Sequence, residues 1–447
     1  MKRSEFFGEE EAFTVSRSFD VYIKTYAEVK CRRAPVAQWI ERPVAVREVT
    51  GSIPVRRTIF IMKQRNLRLF YIHEALFQFS DTMLIIVLPI FLYKLFGHVS
   101  AFFVFSFIWN LIYLSIFIYI FNAAMRWGHP KYFMAAGMIF YVIGLILLGQ
   151  TTAENIKLII PATLFFTLYV SFYWMTRHWF FSVITDHTKI GKQMSYLTII
   201  RIVTGFIAPI IGGWISFFVS FNATFVLGAI AGFLSLIPIL LFHAPPHPEQ
   251  YSWKKIQQIL KKPEIRAIRP AYFWEGFSSY FINAAWLLAF AIFISNIKDL
   301  GILVGVTTLI AILLTRLTGH WFDKRKRTVI LGRLTILRSL GAVLYASVAF
   351  YPQLIYVWGV ELYNRFAASM HQTFVDSYLY AYSNKIHPIY FHLNREIHLS
   401  IARAISCSLL AIIFYFLPPT FLWVVIGIGA FTLAGWLTLK KSDHLLQ

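Results

Sequence analysis

From residue 69 to its end the chain reads as twelve runs of apolar residues, and a run of roughly 20 apolar residues is what a helix needs to cross a hydrocarbon core about 30 Å thick. Lipid offers no water to a backbone N–H or C=O, so only helices or closed barrels span it, and runs of this length are too long for barrel strands. The spans read as 69–95, 100–122, 131–149, 156–184, 194–220 and 223–243, then 271–296, 300–318, 328–350, 353–382, 396–417 and 420–439. The predicted fold class is an all-α membrane protein of twelve transmembrane helices, arranged as two pseudo-symmetric six-helix bundles. Composition agrees, because 58% hydrophobic and 14% charged residues leave too little charge to cover a soluble domain.

The lysines and arginines orient the spans. Counted from Met62 on, and with both termini cytoplasmic, the cytoplasmic segments hold 21 basic residues against three (Lys94, Lys157 and Lys298) on the other side. A missed helix would scramble that bias, so it also fixes the register of the spans. The net charge of +21 is then mostly topology, and no nucleic-acid partner is implied. The expected location is the cytoplasmic membrane of a bacterium. Cys31 and Cys407 are too few and too far apart for a disulfide framework or a metal knot.

Residues 1–61 do not fit this pattern. They carry 8 acids and 11 bases and no apolar run of membrane length. The stretch Val36 to Val55, "VAQWIERPVAVREVTGSIPV", resembles a conceptual translation through a transfer-RNA gene, its "VAQWIER" and "GSIP" matching the D-arm and T-arm consensus read as codons. The expectation is a spurious or disordered extension over 1–61 and a true start at Met62, whose "KQRNLR" is a basic lead-in to a first helix. The following domains are expected to be a six-helix bundle over 62–243, a cytoplasmic linker over 244–270 and a second bundle over 271–447. Within the linker, "YSWKKIQQILKKPEI" has the amphipathic pattern of a helix lying on an anionic membrane surface.

The two bundles are copies. At an offset close to 201 residues, "YIHEALFQFSD" from Tyr71 lies over "YFWEGFSSYFI" from Tyr272, and "YLTIIR" from Tyr196 over "HLSIAR" from His398. Glu74 is thereby matched with Glu275 and Arg201 with Arg403. Parallel six-helix repeats about an axis along the membrane normal put a substrate path at their interface, near the midplane.

Two motifs carry a family resemblance. After the eighth span, Gly319, Asp323 and Arg327 in "GHWFDKRKR" resemble the loop signature G-x-x-x-D-[RK]-x-x-R of the major facilitator superfamily, and the matching loop "NAAMRWGHPK" keeps Arg126, Gly128 and Lys131 without the Asp. In the fifth span, "GFIAPIIGG", with Gly205, Pro209, Gly212 and Gly213, resembles that family's G-x-x-x-G-P-x-x-G-G signature, with Ala208 in place of a Gly. The resemblance covers residues 62–441 by topology. It implies alternating access by two rocking halves, Asp323 as a gate latch among four bases, and, through the fifth-span motif, export by antiport. Close packing of a smooth helix is the alternative meaning of the same glycines.

Only 13 acids follow Met62, and an ionisable group inside a span costs about 2.5–3.5 kcal/mol on insertion scales, so each normally faces a cavity or a partner. Glu74, Glu275, Arg201 and Arg403 lie at similar depth, roughly 6–11 Å from the cytoplasmic ends, which predicts the pairs Glu74–Arg201 and Glu275–Arg403. Asp81 lies about 18 Å deep, near the midplane, where a carboxylate can take up a proton and couple a gradient to transport. Glu361 and Arg365 stand at i, i+4 and can neutralise each other. His371 at mid-depth can titrate near neutral pH, although a lone His is more often packing. Arg177 and Arg338 are possible anchors for an anionic group. The aromatics of the fourth and seventh spans, such as Trp174 and Trp286, read mainly as packing and interface belts.

No G-x-x-x-x-G-K-[ST] loop supports an ATP-driven pump, and "HLNREIH" at 392–398 lacks a recognised zinc spacing. Neither cofactor nor metal is expected, and the chain does not read as an enzyme. The predicted function is secondary transport of a small molecule, with a proton or another ion as partner, by a monomer. Proton-coupled export of small amphipathic compounds is the preferred version and uptake of an anionic metabolite the alternative. From other classes, an intramembrane lipid-modifying enzyme and a transport-inactive sensor of the same fold stay open.

Overall fold

The structure, a computed structural model, describes residues 53–185, 190–243, 257–258, 260–294, 296–319, 327–386 and 388–438. Most of the 1–61 extension, the linker from 244 to 256 and Asp323 of the loop signature lie outside the described residues, and of Gly319 and Arg327 only the backbone is described. Among the described residues twelve long helices stand: α1 (Ile53–Phe96), α2 (Ser100–Trp127), α3 (Pro130–Gln150), α4 (Ile159–Ile184), α5 (Ile190–Phe218), α6 (Phe221–Leu240), α7 (Pro263–Ile294), α8 (Ile297–Gly319), α9 (Arg327–Ser347), α10 (Leu354–Ile386), α11 (Pro388–Phe416) and α12 (Pro419–Thr438). Among the described residues there is no strand.

Local sequence sets the helix ends. Gly128 closes α2 at φ 75°, a left-handed conformation that only glycine takes freely, and Pro130 then opens α3 in its first turn, where a missing N–H costs nothing. Ser220 starts α6 by accepting a 3.0 Å bond from the Ala223 N–H. Inside α7 the helix widens into a π-helical turn at Ser279–Ala284, a local defect that re-aims side chains. Pro89, Pro209, Pro238 and Pro270 all sit inside helices, as packed membrane helices tolerate.

Eleven of the helices are long and apolar enough to cross a bilayer. The exception is α10, which is long but carries Glu361, Asn364, Arg365, His371 and Gln372. Several helices outrun their apolar spans, since a helix continues into water until something stops it. One difference has functional weight: α11 begins at Pro388, eight residues before the apolar run, and its polar segment His392, Asn394 and Glu396 is buried in the bundle instead of lying at a cytoplasmic surface.

The helix pairing displays the duplication. In the first half α1 packs on α5 and α6, α2 on α4, and α3 on α4 and α6; in the second, α7 packs on α11 and α12, α8 on α10, and α9 on α10 and α12. Adding six to each helix number converts the first set into the second. The main contacts between halves, α5 with α8 and α2 with α11, exchange under the same operation, as a two-fold axis along the membrane normal requires.

The fifth-span glycines serve the α5–α8 contact. A Cβ on Gly213 would stand 2.7 Å from the Ile297 carbonyl oxygen, and one on Gly205 would stand 3.2 Å from Thr308 Cγ2. From the other side, a Cβ on Gly305 would meet the Phe206 carbonyl oxygen at 2.6 Å. The backbones touch directly there, the small-residue packing that lipid-embedded helices use where no hydrophobic force drives them together. Gly212 faces inward instead, against Met83 of α1.

Candidate functional site

Between the halves lies a cavity of about 420 Å³. Its first-half wall comprises Asp81 from α1, Trp109, Asn110 and Tyr113 from α2, Tyr169, Trp174, Arg177 and His178 from α4, and Arg201 from α5. The second half contributes Tyr280 from α7, Gln372 from α10, and His392, Arg395, Glu396 and Arg403 from α11. Four guanidinium groups and two carboxylates therefore line one space, together with a set of aromatic rings.

The ion pairs differ from those expected. Glu74 is held by Arg177 of α4: Nε lies 2.6 Å from Oε1 and Nη2 2.5 Å from Oε2. The side chains are 1% and 2% exposed. Arg177 also lies over the rings of Phe70 and Trp174, at 5.6 and 5.3 Å, so π-density attracts the cation. Arg201, the expected partner, lines the cavity instead. In the second half Glu275 is bound by Arg395 at 2.8 Å, and Arg395 also reaches Glu396 at 3.3 Å. Arg403, expected on Glu275, again lines the cavity. The repeat-related arginines of α5 and α11 thus both turn to the central space, and other arginines hold the acids.

Around Glu74 the polar groups are matched closely. His73 Nδ1 lies 2.9 Å from the Ser235 carbonyl, which can only accept, so that nitrogen carries the proton and Nε2 accepts from the Tyr173 hydroxyl at 2.8 Å. Asp81 is different: no ion pair engages it among the described residues. Contacts across the halves border the cavity. The Tyr113 hydroxyl donates to Glu396 at 3.2 Å, the Asn110 amide donates to the Tyr280 hydroxyl at 2.9 Å, and the rings of His178 and His392 stack at 4.8 Å.

A second cavity, of about 320 Å³, lies within the second half. Arg365 and His371 line this one and not the first, as does Arg338. Arg365 Nε is 2.6 Å from Glu361 Oε1, and its guanidinium lies 4.6 Å over Trp286. Glu361 is wholly buried and also accepts from the Tyr345 hydroxyl. Sequence reasoning missed Arg395, Glu396, His178 and His392 as cavity residues. The available signal was the run of polar residues just ahead of the eleventh apolar span.

Comparison with known proteins bears on this arrangement directly, because residues 71–385 match the family described as Major Facilitator Superfamily. The chain belongs to that superfamily. It is accordingly a multi-pass membrane transporter. Similar solved structures include a POT family transporter in complex with a thioalcohol conjugated peptide, at 14% identity and TM-score 0.67, covering 86% of this chain and 97% of that one. Another is a POT family transporter in complex with 5-aminolevulinic acid, at 14% identity and TM-score 0.66, with the same coverage of 86% and 97%. A third is a peptide transporter POT in complex with sulfate, at 13% identity and TM-score 0.63, covering 85% and 95%. At these identities the likeness is one of fold. No curated protein matches the sequence significantly.

Proposed function

We propose that this superfamily member carries a small molecule bearing an anionic group through the central cavity by alternating access, that a proton is the coupling ion, and that Asp81 carries it. The observation on which this reading rests is the pair Arg201 and Arg403, equivalent residues of the two repeats, both lining the cavity. An anionic group held between equivalent cations of two rocking halves has a partner on each side whichever way the cavity opens. Asp81, a cavity carboxylate outside the ion pairs, is suited to bind and release a proton as access alternates. Those cations favour an anionic or zwitterionic cargo over the amphipathic one. The fifth-span glycines are accounted for by α5–α8 packing and need no export meaning. A monomer suffices, since one chain encloses the whole cavity, and the basic residues favour both termini in the cytoplasm.

The peptide and 5-aminolevulinic acid bound by the fold neighbours suggest the first cargoes to try. In proteoliposomes with an imposed pH gradient, dialanine or 5-aminolevulinic acid is expected to accumulate. Asp81→Asn should abolish gradient-driven accumulation but retain counterflow, and Arg403→Gln should lose both. Undiminished accumulation by Asp81→Asn removes that residue from coupling. The aromatic lining, with Trp109 and Trp174, favours a second reading, export of amphipathic cations; gradient-driven movement of ethidium without any carboxylate transport would establish it instead.

A further inference from the structure

The second-half cavity has a charge balance that the central-cavity reading leaves unused. It is enclosed by α7, α8, α9, α10 and α12 and shares Gln372 with the central space. Arg365 has a carboxylate, Glu361, in contact. Glu275, the acid on the cavity wall, is engaged through Oε1 by Arg395, and its buried Oε2 has no hydrogen-bond partner among the described residues. Among the described residues Arg338 bonds only to Asn364 and Asn283: Nη1 donates to Asn364 Oδ1 at 2.7 Å and to the Asn364 carbonyl at 3.3 Å, and Nη2 to Asn283 Oδ1 at 2.8 Å. An amide oxygen satisfies an N–H but does not neutralise a cation, and a cation at membrane depth is retained where it faces an anion or a functional cavity.

A second, independent feature points the same way. His371 is 4% exposed, its Nε2 has no hydrogen-bond partner among the described residues, and its ring stands edge-on to Trp436 on the cavity wall. A buried polar atom left unmatched at a cavity is a place for a ligand. At about 320 Å³ the space is at the small end of ligand pockets, enough for a small molecule and more than a bare ion needs. The planar guanidinium of Arg338, with that of Arg365 lining the same cavity, has the donor geometry that carboxylates and phosphates fit.

We infer that this cavity is an oxyanion-binding site, in which Arg338 and Arg365 hold the carboxylate or phosphoryl group of a small molecule or of a lipid headgroup. The anion supplies the countercharge that Asn283 and Asn364 do not. The site stands apart from the coupling and cargo readings above, because it requires binding and not transport.

The test is equilibrium binding to the full-length protein in delipidated detergent micelles, read by tryptophan fluorescence, with Trp436 and Trp286 at or beside the site as reporters. The probes are potassium phosphate and acetate, against chloride at matched ionic strength, and dioctanoyl phosphatidylglycerol. Wild type is expected to bind at least one oxyanion probe, and a response to the lipid alone assigns the oxyanion to a headgroup. Asn283→Asp places a carboxylate against Arg338 and is expected to weaken Kd about tenfold or more, equivalent to about 1.4 kcal/mol. Asn283→Ala, which adds no charge, is expected to keep the affinity, and Arg338→Gln keeps the test decisive should the Asp variant not fold. No binding of any probe by wild type overturns the inference. So does affinity that survives Asn283→Asp and Arg338→Gln, or affinity that follows Arg403→Gln of the central cavity instead.

Discussion

Replacing Arg177 by Met tests the central electrostatic feature of the first half. Glu74 is 1% exposed, and without the guanidinium the nearest donor left is the Tyr173 hydroxyl at 3.5 Å, which is already committed to His73 at 2.8 Å. A buried carboxylate stripped of its partner costs about 3–5 kcal/mol, as seen when one half of a buried pair is removed. Glu74→Gln should cost less, about 1.5–3 kcal/mol, because the amide still accepts one bond from Arg177 while the rings of Phe70 and Trp174 go on covering the cation. The double variant removes both charges and should fall within about 2 kcal/mol of wild type, since replacing a whole buried pair is often nearly neutral. The two substitutions are thus strongly non-additive. Reversible unfolding in mixed dodecylmaltoside–SDS micelles measures all four corners of the cycle. A cost under about 1 kcal/mol for Arg177→Met, or simple additivity in the double variant, refutes the reasoning. Charge reversal separates the two possible partners: Glu74→Arg should be rescued by Arg177→Glu and not by Arg201→Glu.

Two further outcomes follow from packing. Gly213→Ala puts a methyl group 2.7 Å from the Ile297 carbonyl oxygen, a backbone atom that no rotamer change can move; it should cost about 1–3 kcal/mol by overpacking and increase maleimide labelling of a cysteine introduced at the buried Ile297, whereas an unchanged melting temperature and labelling rate would mean that α5 and α8 do not touch there. Cys407, wholly buried in α11, should react with a membrane-permeant maleimide only as fast as the protein unfolds; mass spectrometry that finds it modified as quickly as a surface thiol in the folded protein would contradict the placement of α11.

Much of the fold was legible because lipid simplifies the code: length and apolarity fix the spans, basic residues their direction, and the matched Glu and Arg positions the repeat. The partners of those charges were not legible. Depth is one coordinate of three, and it does not discriminate, since Arg177 lies seven residues from the end of α4 at Ile184 and so sits about 10 Å from the same side as Arg201. Which arginine reaches Glu74 depends on the azimuth of each helix and on which helices adjoin, and periodicity in an almost wholly apolar run records neither. Arg395 was hidden differently. The residues His392 to Glu396 lower the local hydropathy, so an apolar-run criterion ends the span before them, although burial in a polar cavity is the reason they are there. A span boundary drawn by hydropathy errs where a helix carries functional polarity, and α10, less apolar than the other eleven, carries the Glu361–Arg365 pair and His371.

The contacts joining the halves differ in kind at their two ends. Where α5 ends and α8 begins, Gly213 meets the backbone at Ile297 and Gly301, and where α2 begins and α11 ends, Phe103 stacks on Phe414 at 5.6 Å. Both lie on the face opposite the start of α1, and they are close contacts of backbone and ring. Toward the other face the halves meet through the imidazole stack of His178 and His392 and the hydrogen bond from Tyr113 to Glu396. Polar contacts can be exchanged for water at little net cost, about 0.5–1.5 kcal/mol each. Close backbone packing between membrane helices has no such substitute, since its attraction comes from atoms in contact and fades with any gap. Opening on the glycine face is therefore the more demanding half of a transport cycle. Because α5–α8 and α2–α11 exchange under the two-fold relation, a rigid rocking motion must loosen both together. On the function proposed above, a cargo that pulls Arg201 and Arg403 toward a shared anion would act on α5 and α11, one helix from each of those contacts, and so would bear on both interfaces at once.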